Sequence, residues 1–413
     1  MRPELAAPLP VRARVGRPPL SLLLGAGSAV ALGVALAAVA HVPETRTSPL
    51  EPDTRLWRAL LIAGVAGAFA LYLLGLAASR QRAAALPAVV AIAAAIQLAP
   101  LAAPLLLSRD TYLYWDYGRI AAVHHGNPYS DFPDRWPADP AYRHMSSAWA
   151  RLRDPYGPAW TLIDEADAKL AGSSTREAVL FFRLLAAAAM LLTVGVVARS
   201  TRSAFSTALV GWNPLLALHF AGGGHADAAM MALVAVALAE RRPRWSGAAW
   251  AAAVAVKVAA LAFLGVELVY RLRERRRQWF AGLVAGAVVA LVAATALFGL
   301  SWVRSGGPIS NQLREANSIG LPTRLTHLGL TVHAAQVLVT VLFAVLYLWI
   351  LRQAWRGRRR TSLAAGALCL TVAWLMPWYG SWPIVLAAFD LDAAGIVLGL
   401  GLTGYLLLDA LPV

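Results

Sequence analysis

The sequence predicts an all-α, polytopic membrane protein, and three observations carry that prediction. Hydrophobic residues make up 59% of the 413 and charged residues only 14%, where soluble domains carry about a quarter charged. Apolar runs of about 18 residues or more, enough to cross the ~30 Å hydrocarbon core, recur along the chain. Basic residues outnumber acidic ones by 37 to 22, and the arginines gather in short segments between the apolar runs, where the positive-inside rule expects them. The net charge of +15 therefore points to the lipid bilayer and not to nucleic acid. The one cysteine, Cys369, lies inside an apolar run, so no intrachain disulfide framework exists.

The elements follow in order. Arg2, Arg12, Arg14 and Arg17 precede an apolar stretch of about 20 residues, longer than the core of a signal peptide, which reads as an uncleaved first helix. Spans are expected near 20–40, 56–78 and 84–107. A long polar insertion from Ser108 to about Thr175 comes next, then spans near 177–198, 204–220 and 225–240. Cytoplasmic loops are expected at the N-terminus, at Ser79 to Arg82, at Arg199 to Arg202 and at Glu240 to Arg244, which places the insertion on the outer side. The run from Trp245 to Tyr270 is apolar yet flanked by arginines at both ends, with Lys257 near its middle, a costly place for a charge in lipid. A hairpin of two half-helices with Lys257 near the apex satisfies both facts. A simple crossing followed by an arginine-rich outer loop is the competing reading. Spans near 279–300, 328–351 and 362–376 complete the pattern, with a second outer loop from Ser301 to Thr326 and a final helix after Asp390 and Asp392. Ten to twelve membrane segments are expected in one domain: N-terminal spans over 20–107, an outer catalytic loop over 108–176, and a helical bundle over 177–413. No internal repeat is evident, which weighs against an inverted-repeat transporter.

Acidic residues are scarce, so their placement is informative. Nine of the 22 lie between Asp110 and Asp167. Asp131, Asp134, Asp139, Asp164, Glu165 and Asp167 read as solvated loop charges. Asp110 differs, because it closely follows the last leucine of a span, in Ser108-Arg109-Asp110-Thr111-Tyr112. A carboxylate at the membrane boundary among aromatic residues is partly desolvated and suited to act as a general base. An interfacial salt bridge with Arg109 is the plainer reading. Asp116, six residues on, points to another helix face and is the weaker candidate. Aromatic residues gather at the same outer level, among them Tyr112, Tyr114, Trp115, Tyr117, Tyr129, Tyr156, Trp378, Tyr379 and Trp382. They form either an interfacial belt or a groove for a sugar ring and a lipid tail. Turn signals attached to Tyr129, Tyr156 and Trp378 favour loops fixed at one site. A third outer element, Gly222 to Asp227, carries His225 and Asp227 beside glycines that allow close backbone approach. A helix N-cap by Asp227 and a tight turn are the plain readings. No Walker loop, dinucleotide-binding glycine pattern, nucleophile elbow or zinc spacing appears. No metal ligand set and no cofactor are therefore expected, although metal dependence stays open.

Six motifs stand in order: SRDTYLYWDYGR, GNPY, PAYRHMSSAW…DPYGP, WNPLLALHFAGGGHADAAMM, AVKVAALAF and MPWYGSW. Together they resemble the polyprenol-phosphate-mannose-dependent α-1,6-mannosyltransferases of actinobacteria, members of the GT-C glycosyltransferase superfamily, over about Ser108 to Trp382. The family's aspartate at the start of its first large outer loop maps onto Asp110. Its NPL and histidine–aspartate elements map onto Asn213, Pro214, His225 and Asp227, and its PWY element onto Pro377, Trp378 and Tyr379. One departure is the aromatic TYLYWDYG after Asp110, where the family tends toward VYSYAAQG, so the sugar and acceptor stay open. The resemblance implies a multi-pass enzyme of the plasma membrane with its site on the extracytoplasmic side. It implies transfer of a sugar, most simply mannose, from a polyprenyl phosphate to an envelope glycan or glycolipid, with inversion and Asp110 as base. Tyr114, Asp116, Tyr129, Tyr156, His225, Asp227, Trp378 and Tyr379 are the candidate substrate-binding residues. Lys257 and Arg324 are the candidate cations for the departing phosphate. Alternatives are a pentose or other hexose transferase, of polyprenyl-phosphate-arabinose type for example, or a flippase or transporter of lipid-linked sugar.

Overall fold

The computed structural model describes residues 18–39, 41–42, 52–81, 84–305 and 319–409. The arginines before Leu20, Arg82 and the middle of the second expected outer loop lie outside the described residues. Among those described there is no strand. The helices are α1 (Leu20–Val39), α2 (Pro52–Gln81), α3 (Leu86–Leu98), α4 (Asp110–Ala122), α5 (Pro140–His144), α6 (Pro158–Ala171), α7 (Thr175–Thr201), α8 (Ala204–Gly211), α9 (Pro214–Phe220), α10 (Asp227–Ala239), α11 (Pro243–Val256), α12 (Ala260–Arg273), α13 (Arg277–Phe298), α14 (Leu321–Thr326), α15 (Val332–Trp355), α16 (Thr361–Thr371), α17 (Ser381–Asp390) and α18 (Ala393–Asp409). The protein is an all-α membrane protein. Among the described residues five helices, α1, α2, α7, α13 and α15, are long and apolar enough to cross a bilayer, and four more apolar segments are shorter. Part of the expected set of ten to twelve segments is thus made of broken or short helices.

Each break has a local cause. The segment expected as one span over 204–220 divides at Trp212-Asn213-Pro214, because Pro214 has no N–H to continue the ladder. Asn213 caps the new helix, its side chain accepting from Leu215 N at 3.0 Å and Leu216 N at 3.3 Å. The span expected to run to 107 ends as α-helix at Leu98 and continues as a 3₁₀ turn through Ala102. The chain then turns through Leu107 at φ 63, delivering Ser108 to the start of α4.

The run from Trp245 to Tyr270 breaks at Lys257, between α11 and α12. The contacts of α11 with α13 settle its direction. A Cβ on Gly282 would meet the carbonyl of Arg244, and one on Gly286 would meet Ala251 Cβ at 2.9 Å. Trp279 Nε1 donates to Ser246 Oγ at 3.1 Å. Position numbers rise together on both helices, so α11 and α13 run parallel, each starting from an arginine cluster. Helix α12, which joins the tip of α11 to the start of α13, must run back. Tyr347 of α15 donates to Ala262 O at 2.6 Å, and Arg359, just past the end of α15, lies over Tyr270 near the end of α12. The arginine clusters after α10, α12 and α15 therefore gather at one end of the bundle. Lys257 stands at the other end of the 14-residue α11, about 20 Å away at 1.5 Å per residue.

Candidate active site

Four chain segments meet at that far end. The first is the start of α4. Asp110 is 4% exposed, and its Oδ1 accepts from Ser108 Oγ at 2.9 Å. Its Oδ2 lies 3.5 Å from Tyr114 Oη and 3.3 Å from His225 Nδ1. The plainer reading, a salt bridge with Arg109, is not what forms among the described residues: Asp110 faces His225, which comes from the second segment, the turn before α10. That turn needs its glycines. Gly224 has φ 74, and a Cβ there would press on Thr111 Cγ2 at 2.7 Å, so only glycine lets the turn lie against α4. His225 is fully buried and stacks on Trp378, with ring centroids 3.5 Å apart and planes at 15°. Neither of its ring nitrogens is aligned in a hydrogen bond among the described residues; the contact with Asp110 is one of proximity.

The third segment is the break at Lys257, and the fourth is the 3₁₀ turn Pro377–Gly380 with the start of α17. Asp227 does not cap α10 with its side chain. Its Oδ2 accepts from Lys257 Nζ at 2.7 Å and its Oδ1 from Trp382 Nε1 at 2.7 Å. Lys257 Nζ lies 4.8 Å from the centre of the Tyr379 ring and 5.7 Å from that of Tyr156. Tyr379 stacks on Trp382 at 4.1 Å. The insertion closes the arrangement. Gly157 N donates to Val256 O at 3.0 Å, and a Cβ at Gly157 would overlap the Ala255 carbonyl, so the loop carrying Tyr156 sits directly on the tip of α11. Tyr156 Oη donates to Tyr114 Oη at 3.3 Å. The site thus holds two carboxylates, an imidazole, an ammonium and a wall of aromatic rings, the combination that binds a polyhydroxylated ring and an anionic group.

A family model described as alpha-(1->6)-mannopyranosyltransferase, N-terminal domain, matches residues 20–273, more than half of the chain. The chain belongs to the alpha-(1->6)-mannopyranosyltransferase (MptA_B) family. A second model, glycosyltransferase family 87, matches residues 170–377. No curated protein and no solved structure matches. The protein is therefore a glycosyltransferase, and the two matched ranges together span the first three segments of the site and reach the fourth only at Pro377.

Of the residues singled out in the sequence, the glycosyltransferase fold brings Asp110, Tyr114, Tyr156, His225, Asp227, Lys257, Trp378 and Tyr379 together. Three lie elsewhere. Tyr129 is buried behind Tyr156, its hydroxyl 2.6 Å from Thr161 Oγ1 and 3.2 Å from Tyr156 O, so it props the loop. Arg324 on α14 donates to Tyr405 Oη at 3.3 Å. Asp116 is buried beside the ion pair between Arg119 and Asp139, whose Nε to Oδ1 distance is 2.8 Å. Two residues of the site, Ser108 and His219, escaped the sequence reading, and Trp382 entered it only as one of the outer aromatic residues. Ser108 holds Asp110, and Trp382 holds Asp227. Buried His219 sits 5.8 Å, ring to ring, from both His225 and Trp378. His219 stands six residues before His225 in an apolar helix, and nothing in its local pattern sets it apart from a core residue.

The insertion also corrects an expectation about its charges. Asp139, Asp164 and Asp167 are buried, not solvated, as is Asp154. For Asp164 and Asp167 the reason is periodicity: with Trp160, Thr161, Ala168 and Ala171 they share the face of α6 that turns inward, whereas Asp139 is enclosed by Arg119 and His124 and Asp154 accepts from Thr161 Oγ1. Burial pushes Asp154 up to about 7 and Asp167 up to about 8, and raises Asp164 well above the carboxylate range. Burial, reinforced by Asp139, pushes Asp116 up to about 7. Burial also opposes ionisation of Asp139, but hydrogen bonds from Arg119, Ala141 N–H and His124 hold it below its usual value. Raised carboxyl groups favour the folded state in their protonated form. Their contribution is whole below about pH 4 and is lost as the pH climbs through about 7 to 8. Thermal unfolding of the purified protein should therefore occur at lower temperature at pH 9 than at pH 6, and Asp167→Asn should shrink that difference. An equal melting temperature at both pH values would contradict the burial of these groups.

Proposed function

We propose that this glycosyltransferase transfers mannose from a polyprenyl-phosphate donor to a hydroxyl of an envelope glycan or glycolipid, with inversion at the anomeric carbon. The observation that carries the reading is the position of Asp110. It is buried at the head of a helix, steadied by Ser108, and set beside His225 and the Asp227–Lys257 pair under Tyr379 and Trp378. In the proposed reaction the acceptor oxygen attacks the anomeric carbon while the bond from that carbon to the phosphate oxygen breaks. The acceptor proton passes to Asp110, and the electron pair leaves with the phosphate, which stays on its lipid. A phosphate needs no general acid to depart, so one carboxylate is enough. Lys257 and His225 are the groups placed to meet the phosphate charge, and the aromatic wall receives the sugar face. Asp227 sets the position of Lys257. The scheme calls on no cofactor, because the lipid-linked sugar is a substrate.

The arginine-rich end of the bundle supports an orientation in which that end faces the cytoplasm and the site opens on the extracytoplasmic side of the plasma membrane. The test is transfer of labelled mannose from polyprenyl-phosphate-mannose to a short mannoside by membranes carrying the protein, with the configuration of the new linkage read by NMR. The α product of a β-linked donor is expected. Transfer from a nucleotide sugar instead, or a product with retained configuration, would remove this reading.

A further inference from the structure

The arginine-rich end of the bundle, opposite Lys257, holds an open pocket of about 710 Å³ between the ends of α15 and α17 and the connections that follow them. Its construction starts from a tight turn. After α15 the chain reverses at Gly357, with φ 88, and a Cβ there would meet the Arg273 guanidinium at 3.1 Å. The turn brings Arg358, Arg359 and Arg360 along the pocket. Two carboxylates also line it, and both are engaged within the protein. Asp390 accepts from Ser362 N and Oγ, at 2.8 Å each, and from Asp392 N at 3.1 Å. Asp392 accepts from Arg360 Nε at 2.6 Å and from Gly395 N at 2.9 Å. The carboxylate nearest Arg359 is Glu267 at 3.6 Å, which Arg271 already holds at 2.6 Å. Arg358 is exposed, and its side chain forms no hydrogen bond or ion pair among the described residues. The pocket therefore carries a surplus of positive charge that guanidinium groups cannot shed.

The rest of the wall is apolar. Trp349, Phe389 and Leu391 contribute to it, and the Arg360 guanidinium lies 4.8 Å over the Trp349 ring. From Trp349 an exposed apolar stripe continues along the membrane-crossing helix α15 through Leu348, Val345 and Leu342. A tryptophan beside arginines at the end of such a helix marks the headgroup level of a bilayer, and the stripe lies at the level of its acyl chains.

We propose that this pocket binds an anionic phospholipid of the adjoining leaflet, its phosphate among Arg358, Arg359 and Arg360 and an acyl chain along the stripe that starts at Trp349. Both halves of the pocket select this ligand. A soluble anion would use the arginines and leave the apolar wall bare. A zwitterionic lipid would use the wall but bring its own cation to the arginines. In the orientation proposed above the leaflet is the cytoplasmic one; the binding itself does not rest on the transferase reading. Bound there, the lipid bridges the ends of α15 and α17, so it stabilises the folded bundle.

The experiment compares retention of phosphatidylglycerol and of phosphatidylethanolamine with the same acyl chains by the purified full-length protein. Native mass spectrometry reads the bound lipid, normalised to folded protein, and differential scanning fluorimetry reads the shift in melting temperature. Phosphatidylglycerol should be retained in preference and should raise the melting temperature more. Arg358→Gln should weaken its retention about fivefold, the effect of one arginine on an anionic lipid. Gln353→Glu, which sets a carboxylate of the same size in the pocket wall, should weaken it at least as much. Arg241→Gln removes an exposed arginine of the same end that does not line the pocket, and should leave retention unchanged. Equal retention of the two lipids would overturn the proposal, as would unchanged retention in Arg358→Gln and Gln353→Glu. A loss in Arg241→Gln as large as that in Arg358→Gln would also overturn it, leaving only general surface charge. Displacement of phosphatidylglycerol by an equal concentration of free glycerol phosphate would do the same and make this a site for a soluble anion.

Discussion

Asp110→Asn is expected to lower sugar transfer by about two to four orders of magnitude, the usual contribution of a positioned general base. The substitution keeps the volume of the side chain and its acceptor for Ser108 Oγ, so the start of α4 is preserved. What it removes is the ability to take a proton, together with the negative charge facing His225 at 3.3 Å. The loss should therefore appear in the rate of transfer at saturating donor, with lipid binding intact. Asp110→Glu keeps the proton acceptor but displaces it by a methylene, and should retain a measurable fraction. Ser108→Ala should cost less than either, because Ser108 only steadies the carboxylate. Rates of labelled mannose transfer in detergent, normalised to folded protein, measure the series. A fully active Asp110→Asn enzyme would exclude Asp110 as the base and move attention to Asp227.

The second large effect concerns the Asp227–Lys257 pair. Asp227 is fully buried and Lys257 nearly so, with 2.7 Å between them. Removing one partner of such a pair leaves an uncompensated charge and costs about 3–5 kcal/mol. Lys257→Met and Asp227→Leu should each lower the melting temperature sharply and abolish transfer. The double variant should recover much of the stability, because both charges are then gone, while transfer stays absent. That split separates a structural ion pair from a functional one: recovered activity in the double variant would make the pair purely structural. Differential scanning fluorimetry in detergent, read beside the transfer assay, gives both quantities.

The candidate site was largely legible before any fold was known, because few ionisable residues occur where this chain is apolar. A lysine in the middle of the run from Trp245 to Tyr270, an aspartate at the end of a span, and a histidine and aspartate after three glycines each contradict their surroundings. In a membrane such contradictions are costly and mark function. Arg183 is another such contradiction, in the apolar run that opens α7, masked by the arginines that flank so many of the spans. The acids of the insertion are hidden for the opposite reason. Asp154, Asp164 and Asp167 look ordinary in a polar segment, and only the packing of α6 shows that three carboxyls are enclosed.

The composition and spacing of the chain settled what kind of molecule this is. Long apolar runs must be helical in lipid, since their backbone groups have no other partners, and clustered arginines bring the ends of α10, α12 and α15 to one side. Pro214 and Asn213 dictated a helix break from local chemistry alone. Which side chains share the site was decided by tertiary structure. Asp110 and Lys257 are separated by about 150 positions, and no periodicity links them. They meet because Gly157 seats the insertion on the tip of α11 and Gly224 lets the His225 turn lie against α4. The direction of α12 was decided the same way. The sequence allowed both a crossing and a hairpin, since both place arginines at each end of the run. The parallel contact of α11 with α13 leaves only the return, because two helices entering from one face require the chain between them to come back.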